Sequence, residues 1–414
     1  MEMKKYKLEN LCTKITDGSH YSPVAVESGY PMFSVKDMEE FGFSYTDVKL
    51  ISEDDFQKMC ENDCVPQKND VLVAKDGSYL KEAFVCMKTK KEAILSSIAI
   101  FRPNIKLVNP YYLAYLFKTP NVYNYVTNGC VSGTALPRIV LKAFKQIEVF
   151  IPSLKQQNNV VSVLSSLDDK IALNKKINAK LEAMAKRLYD YWFVQFDFPN
   201  EEGKPYKSSG GKMEYNATLK RDIPAGWEVG NLYEIADYIN GLACQNYRPQ
   251  DEEIFLPVIK IKEMHEGITS DTEKVSATIP EKYIIFDGDI LFSWSATLEV
   301  MIWTGGKGGL NQHIFKVVPK SYFTKEYVFQ QLSSYIVNFQ KMAEARKTTM
   351  GHITSDHINQ SRIVIPPKEV INAFSEKTLP IFDYQLTIQK EIQKLTKLRD
   401  RLLPLLMNGQ VEVE

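Results

Sequence analysis

The longest uninterrupted helical pattern in this chain of 414 residues covers residues 152–192, which contain no glycine or proline after Pro152. The apolar side chains recur every three or four residues, which places them on one stripe of an α-helix. The stripe consists of Leu164, Leu167, Ile171, Ile177, Leu181, Met184, Leu188 and Tyr191. A helix of about 40 residues is about 60 Å long. An apolar stripe of that length requires a partner of similar length.

A second helical pattern, over residues 366–406, is the best candidate for that partner. Its stripe consists of Ile388, Ile392, Leu395, Leu398, Leu402 and Leu406. Both patterns follow a strand-like segment that ends in Ile-Pro, at Ile151 and Ile365. Asn174 and Asn178 lie close to the first stripe, where buried amides would fix the register of a helix pair. Pairing of the two helices would bury both stripes.

The blocks that precede the two helices match each other in order. The matched segments are residues 31–38 with 257–264, residues 69–72 with 288–291, and Tyr112-Leu113 with Tyr327-Val328. The difference in numbering falls from 226 at the first match to 214 at the two Ile-Pro pairs, as loop insertions would make it fall. An ordered series of matches indicates an internal duplication.

Composition limits the class of protein. A hydrophobic content of 44% and this length predict two or three globular domains. No apolar run reaches the roughly 18 residues that span a bilayer, and no signal-peptide core follows Met1, so we expect a cytoplasmic protein without a membrane partner. Six scattered cysteines predict reduced thiols. With 51 basic and 51 acidic residues, net charge neither favours nor excludes nucleic acid.

These patterns predict an α+β fold class with two repeated domains of mixed strands and short helices, each followed by a long α-helix. The two helices are expected to pair as an antiparallel coiled coil with pseudo-two-fold symmetry. The expected divisions are residues 1–152 and 226–366 for the two repeated domains, 153–195 for the central spacer helix, 196–225 for a linker, and 367–410 for the C-terminal spacer helix. The linker assignment rests on its glycine, serine, lysine and asparagine content and its weak periodicity.

Motifs for catalysis are incomplete. Residues 109–112 read Asn-Pro-Tyr-Tyr, with one proline where amino-methyltransferases have Asn-Pro-Pro-Tyr, and therefore predict a helix cap at Asn109. Residues 305–309 lack the Ser or Thr that follows the lysine of a phosphate loop, and predict a turn. Residues 168–170 (DDK) lack a strand context and predict a solvated helix face. The five histidines have no metal-ligand spacing. We therefore predict a chain without catalytic residues or a metal site.

Two globular blocks on a rigid spacer suit a long repetitive ligand, such as duplex DNA with half-sites about one helical turn or more apart. Six short motifs occur in a specific order: residues 15–20 (ITDGSH), 196–199 (FDFP), 203–206 (GKPY), 223–227 (IPAGW), 288–291 (GDIL) and 363–367 (IVIPP). In these motifs and in their order, essentially the whole chain resembles the specificity subunit of type I restriction-modification systems.

That resemblance implies a non-catalytic DNA sequence-specificity subunit. Each of its target recognition domains would read one half of a bipartite, asymmetric site in double-stranded DNA. The helices would set the spacing and dock two modification (methyltransferase) subunits, and restriction (endonuclease/translocase) subunits could join. No cofactor is expected in this chain, because S-adenosylmethionine would be bound by the partner methyltransferase subunits.

A duplicated reader is expected to use the same loops twice, with basic or amide side chains for phosphates and base edges. The candidate DNA-binding residues of the first copy are Ser19, His20, Tyr21, Lys75, Ser78, Tyr79, Lys81, Thr134 and Arg138. Those of the second copy are Asn246, Tyr247, Arg248, Ser293, Trp294, Ser295, Asn311, Gln312, His313, Arg346, Lys347, Thr348 and His352. Ordinary turn or core packing is the alternative for each of them, and for Trp294 in particular.

Two other classes of protein remain open at this stage. A duplicated protein-binding scaffold would have the same repeats and long helices without DNA specificity. A standalone nuclease or methyltransferase would need the motifs that are incomplete here.

Overall fold

The computed structural model describes residues 2–77, 80–129, 131–132, 138–295, 297–345 and 353–413. The chain divides into two compact units: Met1–Leu173 with Lys394–Glu414, and Asn174–Gln393. Both divisions fall inside the long helices. Each unit therefore contains one globular block and a segment of each helix.

The first block is built from short strands with helices between them. Its strands are Lys4–Lys7 (β1), Cys12–Asp17 (β2), Tyr30–Phe33 (β3), Met38–Glu39 (β4), Gly42–Phe43 (β5), Lys49–Ile51 (β6), Val71–Ala74 (β7), Ala83–Val85 (β8), Ala93–Ile94 (β9), Ile98–Pro103 (β10), Val131–Ser132 (β11), Arg138–Ile139 (β12) and Glu148–Ile151 (β13). Its helices are Leu8–Leu11 (α1), Glu53–Glu61 (α2), Pro110–Phe117 (α3), Pro120–Gly129 (α4) and Leu141–Gln146 (α5). The long helix Leu154–Tyr189 (α6) follows, and continues as a π-helical turn at Asp190–Val194.

The second block has the same kind of elements. Its strands are Met213–Asn216 (β14), Arg221–Pro224 (β15), Glu228–Gly230 (β16), Ala236–Asn240 (β17), Phe255–Ile259 (β18), Lys274–Ser276 (β19), Ile284–Ile285 (β20), Ile290–Ser293 (β21), Glu299–Ile302 (β22), Gly308–Leu310 (β23), Ile314–Pro319 (β24) and Ile363–Ile365 (β25). Its helices are Leu232–Ile235 (α7), Ile261–Glu266 (α8), Lys325–Ala345 (α9) and Ser355–Asn359 (α10), followed by the long helix Lys368–Met407 (α11).

Sheet topology confirms the predicted duplication. Each block contains a four-stranded sheet, in the order β2-β10-β7-β8 in the first and β17-β24-β21-β22 in the second. Each also pairs the strand before its first short helix with the strand before its long helix, β1 with β13 and β16 with β25, and pairs two of its strands in parallel, β3 with β9 and β18 with β23. The ladder registers place Asp17 opposite Ala99 and Asn240 opposite Phe315. Asp17 and Asn240 therefore occupy the same position in the two copies.

Both units contain the antiparallel helix pairing that the sequence predicts. In the first unit, Val160 and Leu164 near the start of α6 share a hydrophobic core with Leu403 and Leu406 near the end of α11. In the second unit, Tyr189 at the end of α6 and Trp192 in the π-helical turn that follows share a core with Ile371 and Phe374 near the start of α11. Each helix segment also packs against its own globular block.

The predicted stripes are partly wrong. Met184 and Tyr191 are exposed, as is Leu398 on α11, whereas Ala185 and Tyr189 are buried. The stripes were predicted from packing between the two long helices alone. Each helix also packs against its own globular block, which changes the set of buried residues. The π-helical turn after Tyr189 also adds a residue to the turn, which rotates the side chains that follow.

Of the two asparagines near the stripe, only Asn174 links the helices. Its side chain is buried and donates a 3.0 Å hydrogen bond to Glu391 Oε2 on α11. Asn178 instead donates to Glu182 on its own helix, at 2.7 Å. Of these two residues, Asn174 therefore has the geometry that fixes the register of the helix pair.

Residues 196–225, expected to form an extended linker, are packed into the second unit. Asp197 accepts hydrogen bonds from the backbone nitrogen and the hydroxyl of Ser208, at 2.7 and 2.6 Å, and these bonds lower the pKa of Asp197. Phe198 stacks on Tyr206 and Trp227 with ring centroids 4.6 and 4.9 Å apart. The polar, glycine-containing composition predicted a loop, but the hydrogen bonds of Asp197 and the ring contacts of Phe198 hold this segment in a defined conformation.

The expected solvated face at Asp168 is also corrected. Asp168 accepts a hydrogen bond from the Tyr115 hydroxyl at 2.6 Å and pairs with Arg399 Nη1 at 2.9 Å. Arg399 also pairs with Glu40. Burial alone would lower the pKa of Arg399, but its hydrogen bonds to Asp168 and Glu40 outweigh that effect and raise the pKa. The partner of Asp168 lies on α11, far along the chain, so local sequence gave no sign of it.

Two of the motif interpretations are confirmed. Asn109 caps α3, since its side-chain oxygen accepts a hydrogen bond from the Tyr111 backbone nitrogen at 2.8 Å. The glycine-rich segment after β22 is a turn in which Gly306 has a φ of +83° and donates to Asp287 at 2.7 Å. Among the described helices, none is both long enough and apolar enough to cross a bilayer.

Candidate nucleic-acid interface

The candidate loops of the first copy meet at one edge of its four-stranded sheet. Three backbone hydrogen bonds join them: Gly18 nitrogen to Ile98 oxygen at 3.2 Å, Lys75 nitrogen to Ser97 oxygen at 2.9 Å, and Ile139 nitrogen to Lys75 oxygen at 3.2 Å. We call this the first loop edge, formed by residues 17–21, 75–77, 80–81, 95–97 and 138–139.

The second copy repeats this arrangement. Gly241 nitrogen donates to Ile314 oxygen at 3.0 Å, Trp294 nitrogen to His313 oxygen at 3.4 Å, and Ile353 nitrogen to Trp294 oxygen at 3.0 Å. We call this the second loop edge, formed by residues 240–248, 293–295, 311–313 and 353. The same backbone frame therefore holds two different sets of side chains.

A glycine allows the closest approach in each frame. A Cβ on Gly18 would lie 2.2 Å from the Ile94 carbonyl oxygen, and one on Gly241 would lie 2.0 Å from the Asn311 carbonyl oxygen. Any larger residue would push the end of the strand away from the neighbouring loop. The two glycines thus have the same structural task in the two copies.

At the first loop edge, Lys75 has a structural role. It is 4% exposed, and its ammonium nitrogen lies 2.5 Å from Asp17 Oδ2. His20 Nε2 lies 3.4 Å from the other oxygen of Asp17, with most of the imidazole in solvent. Ser19 donates to the Tyr21 carbonyl at 2.7 Å and shapes the turn. Among the candidates whose side chains the structure describes here, His20, Tyr21 and Lys81 are exposed and accessible to a ligand.

At the second loop edge, four candidates shape the loops. Ser293 is fully buried and donates to the Thr297 carbonyl at 2.7 Å, and Ser295 is also buried. The buried Asn311 accepts a hydrogen bond from the His313 backbone nitrogen at 3.3 Å. Trp294 is partly buried and packs against the core of the unit. Burial withdraws Ser293, Ser295 and Asn311 from direct contact with a ligand.

The remaining candidates of the second loop edge are accessible. Asn246, Tyr247, Arg248 and His313 are exposed, and Gln312 is half-buried with its side-chain nitrogen 3.4 Å from His313 Nε2. Amide, imidazole, phenol and guanidinium groups are the types that contact phosphates and base edges.

Several candidates lie outside the described residues: Ser78, Tyr79, Thr134, Arg346, Lys347, Thr348 and His352. For Arg138 the structure describes the backbone, in β12, and not the side chain. All eight stay predictions.

Sequence reasoning missed one exposed residue in this frame, Asn240, which ends β17 at the position of Asp17. Alignment of the two dipeptides Asp17-Gly18 and Asn240-Gly241 would have found it. It also missed Ser96 and Ser97, which correspond to Gln312 and His313. Within the described residues, no cluster of three His, Cys, Asp or Glu side chains could hold a metal ion.

One fold used twice, with the same loop frame at an edge of each sheet and different exposed side chains, defines a duplicated recognition protein. The family model for the type I restriction modification DNA specificity domain matches residues 1–183 and 224–398. The chain belongs to this family, and it is a type I DNA specificity subunit. Family membership disfavours the scaffold alternative.

Two relatives and one solved structure show the extent of the similarity. The chain is 28% identical over 316 residues to the MjaIX specificity subunit of Methanocaldococcus jannaschii, covering 73% of this chain and 69% of the relative. It is 24% identical over 404 residues to the HindI specificity subunit of Haemophilus influenzae, covering 83% and 87%. The crystal structure of the type I S subunit from M. genitalium shares the fold, with a TM-score of 0.55, 13% identity, and coverage of 98% and 96%.

Proposed function

We propose that the chain is a non-catalytic subunit whose two blocks each read one half of a bipartite, asymmetric site in double-stranded DNA. The observation that carries this proposal is the repeated loop edge, in which three equivalent backbone hydrogen bonds support different exposed side chains. An identical frame presents loops to the same kind of ligand, and different side chains select different bases.

The proposed contacts follow from exposure. At the first loop edge, Lys81 would pair with phosphates, while His20 and Tyr21 would contact base edges or the DNA backbone. At the second, Arg248 would pair with phosphates or guanine, and His313 with base edges. The buried Asp17 and Lys75 pair would hold the first loop edge in shape without touching DNA.

The long helices are proposed to set the spacing and to dock two modification subunits, with restriction subunits able to join. Exposed apolar side chains on these helices would be available for contact with a protein partner: Leu173, Met184, Leu379, Tyr384 and Leu398. The chain itself would bind no cofactor, and S-adenosylmethionine would be bound by the modification subunits.

The test is methylation by the assembled complex. The chain is co-purified with its modification subunits and incubated with S-adenosylmethionine and a library of randomised DNA, and methylated positions are sequenced. We expect a two-part motif with a gap of constant length. Methyl transfer by the purified chain alone, or methylation without a two-part motif, would contradict the proposal.

Variants of the two edges serve as controls for each other. Replacement of Tyr21 and Lys81 by alanine is expected to weaken or relax one half-site only, and replacement of Tyr247 and Arg248 the other half-site only. If both double variants altered the same half-site, the assignment of one half-site to each block would fail.

A further inference from the structure

The exposed Asn240 is held in one orientation by a tryptophan. The indole nitrogen of Trp294 donates a 3.1 Å hydrogen bond to Asn240 Oδ1. The Trp294 ring packs beside His313 and Phe315, with centroid distances of 5.5 and 5.9 Å. Phe315 is buried, so this packing ties the indole to the core of the second unit. The donor that fixes the amide is therefore itself fixed.

This orientation decides which group Asn240 presents. A side-chain amide has one oxygen that accepts and one NH2 group that donates. The oxygen faces Trp294, and no hydrogen bond among the described residues uses the NH2 group. A free asparagine recognises adenine by pairing its oxygen with N6 and its nitrogen with N7. Asn240 cannot pair in this way while its oxygen is bound to the indole.

We infer that Asn240 is a specificity-determining residue of the second block, and that Trp294 positions it as a hydrogen-bond donor that selects guanine or thymine. These two bases present a carbonyl acceptor in the major groove, O6 of guanine and O4 of thymine. Cytosine presents only a donor there. Adenine has an acceptor at N7, but a lone amide donor bound there leaves the neighbouring N6 donor without the acceptor oxygen that a free asparagine would supply. The inference rests on the proposed function, because it requires the second loop edge to face DNA.

In the described part of the first block, the equivalent position offers no such donor. Asp17 occupies the position of Asn240, and Lys75 that of Trp294, but their side chains form a buried ion pair. A carboxylate offers only acceptors, and this one is occupied by the ammonium group. Changes at Asn240 should therefore affect the half-site read by the second block and leave the other half-site unchanged.

The experiment uses the complex with modification subunits and the randomised DNA library. Asn240→Ala identifies the base position that depends on this side chain, and the unsubstituted complex should require guanine or thymine there. Trp294→Phe keeps an aromatic ring but removes the N–H donor, so that the amide can rotate. We expect methylation of sites with adenine at that position to rise about fivefold or more, relative to the preferred base, since a good bidentate base contact contributes that much discrimination or more.

Trp303→Phe is the matched control. Trp303 lies in the same unit, is 3% exposed, and donates its indole N–H to the Gly306 carbonyl at 2.6 Å. The substitution removes the same kind of hydrogen bond away from the second loop edge, and should leave the motif unchanged. A general effect of a lost indole hydrogen bond on stability would appear in both variants.

Several results would overturn the inference. One is an Asn240→Ala complex with an unchanged motif, and another is adenine or cytosine at the dependent position of the unsubstituted complex. If Trp294→Phe lowered methylation without changing any base preference, Trp294 would have no positioning role. A complex that methylates no two-part motif at all would instead refute the proposed function.

Discussion

Arg399 is expected to be one of the most important single side chains for the stability of the first unit. It joins three parts of that unit: Asp168 on α6, Glu40 in the globular block, and its own helix α11. The side chains of Arg399 and Asp168 are only 11% and 13% exposed. The substitution Arg399→Met keeps much of the apolar stem and removes the charge.

The expected loss follows from the two carboxylates left behind. Removal of one partner of a buried ion pair costs about 3–5 kcal/mol, because the remaining charge stays desolvated. One kcal/mol shifts the melting temperature by about 2–4 °C for a unit of about 150–250 residues. We therefore expect Arg399→Met to lower the melting temperature by roughly 10 °C.

Thermal unfolding followed by circular dichroism or calorimetry measures this change. Arg401→Met is the matched control, because Arg401 lies on the same helix two residues further on and is exposed. A second substitution, Asp168→Asn, should restore part of the loss, since it removes one of the unpaired charges. If Arg399→Met melted within about 1 °C of Arg401→Met, the ion network would contribute nothing to stability, and the reasoning would be refuted.

Four other predictions concern thiols, glycine, the helix pair and the spacing. Burial, and to a smaller extent the charge of Asp70, raises the pKa of Cys12 to about 12, so its thiolate is scarce at pH 8. Native protein should therefore react with maleimide at the exposed Cys60 well before Cys12, and equal labelling rates by mass spectrometry would contradict this. Gly241→Ala should impair recognition of one half-site only, because its Cβ would lie 2.0 Å from a carbonyl oxygen; an intact two-part methylation motif would exclude that steric argument. Asn174→Ala should lower the free energy of unfolding by about 1 kcal/mol through loss of its hydrogen bond to the other helix, measured by urea denaturation against wild type. Insertion of helical turns into both spacers should lengthen the gap between half-sites in the methylation motif; altered half-sites with an unaltered gap would disprove the role of the helices as spacers.

The duplication was predictable because short local sequence patterns recur in the same order in the two copies. The order of polar and apolar residues in the strands, the cap at Asn109 and the two long apolar stripes all depend on residues within a few positions of each other. The candidate loops that the structure describes follow strand ends in both copies, which is a local feature of the sequence. Their division into structural and accessible side chains was not predictable. Lys75 and Asn311 are of the residue types that commonly contact ligands, and only their burial in the structure shows that they hold the loops.

The sequence by itself determined the two repeats, the α+β class and the antiparallel helix pair, and it indicated the candidate loops. Only the tertiary structure decided which side chains in those loops face solvent. It also showed that Met184 is not part of the buried stripe and which residue pairs with Asp168. The physical reason is the range of the interactions. Periodicity records contacts with near neighbours along the chain, whereas the hydrogen bond from Trp294 to Asn240 and the ion pair of Arg399 with Asp168 join residues that become neighbours only after folding.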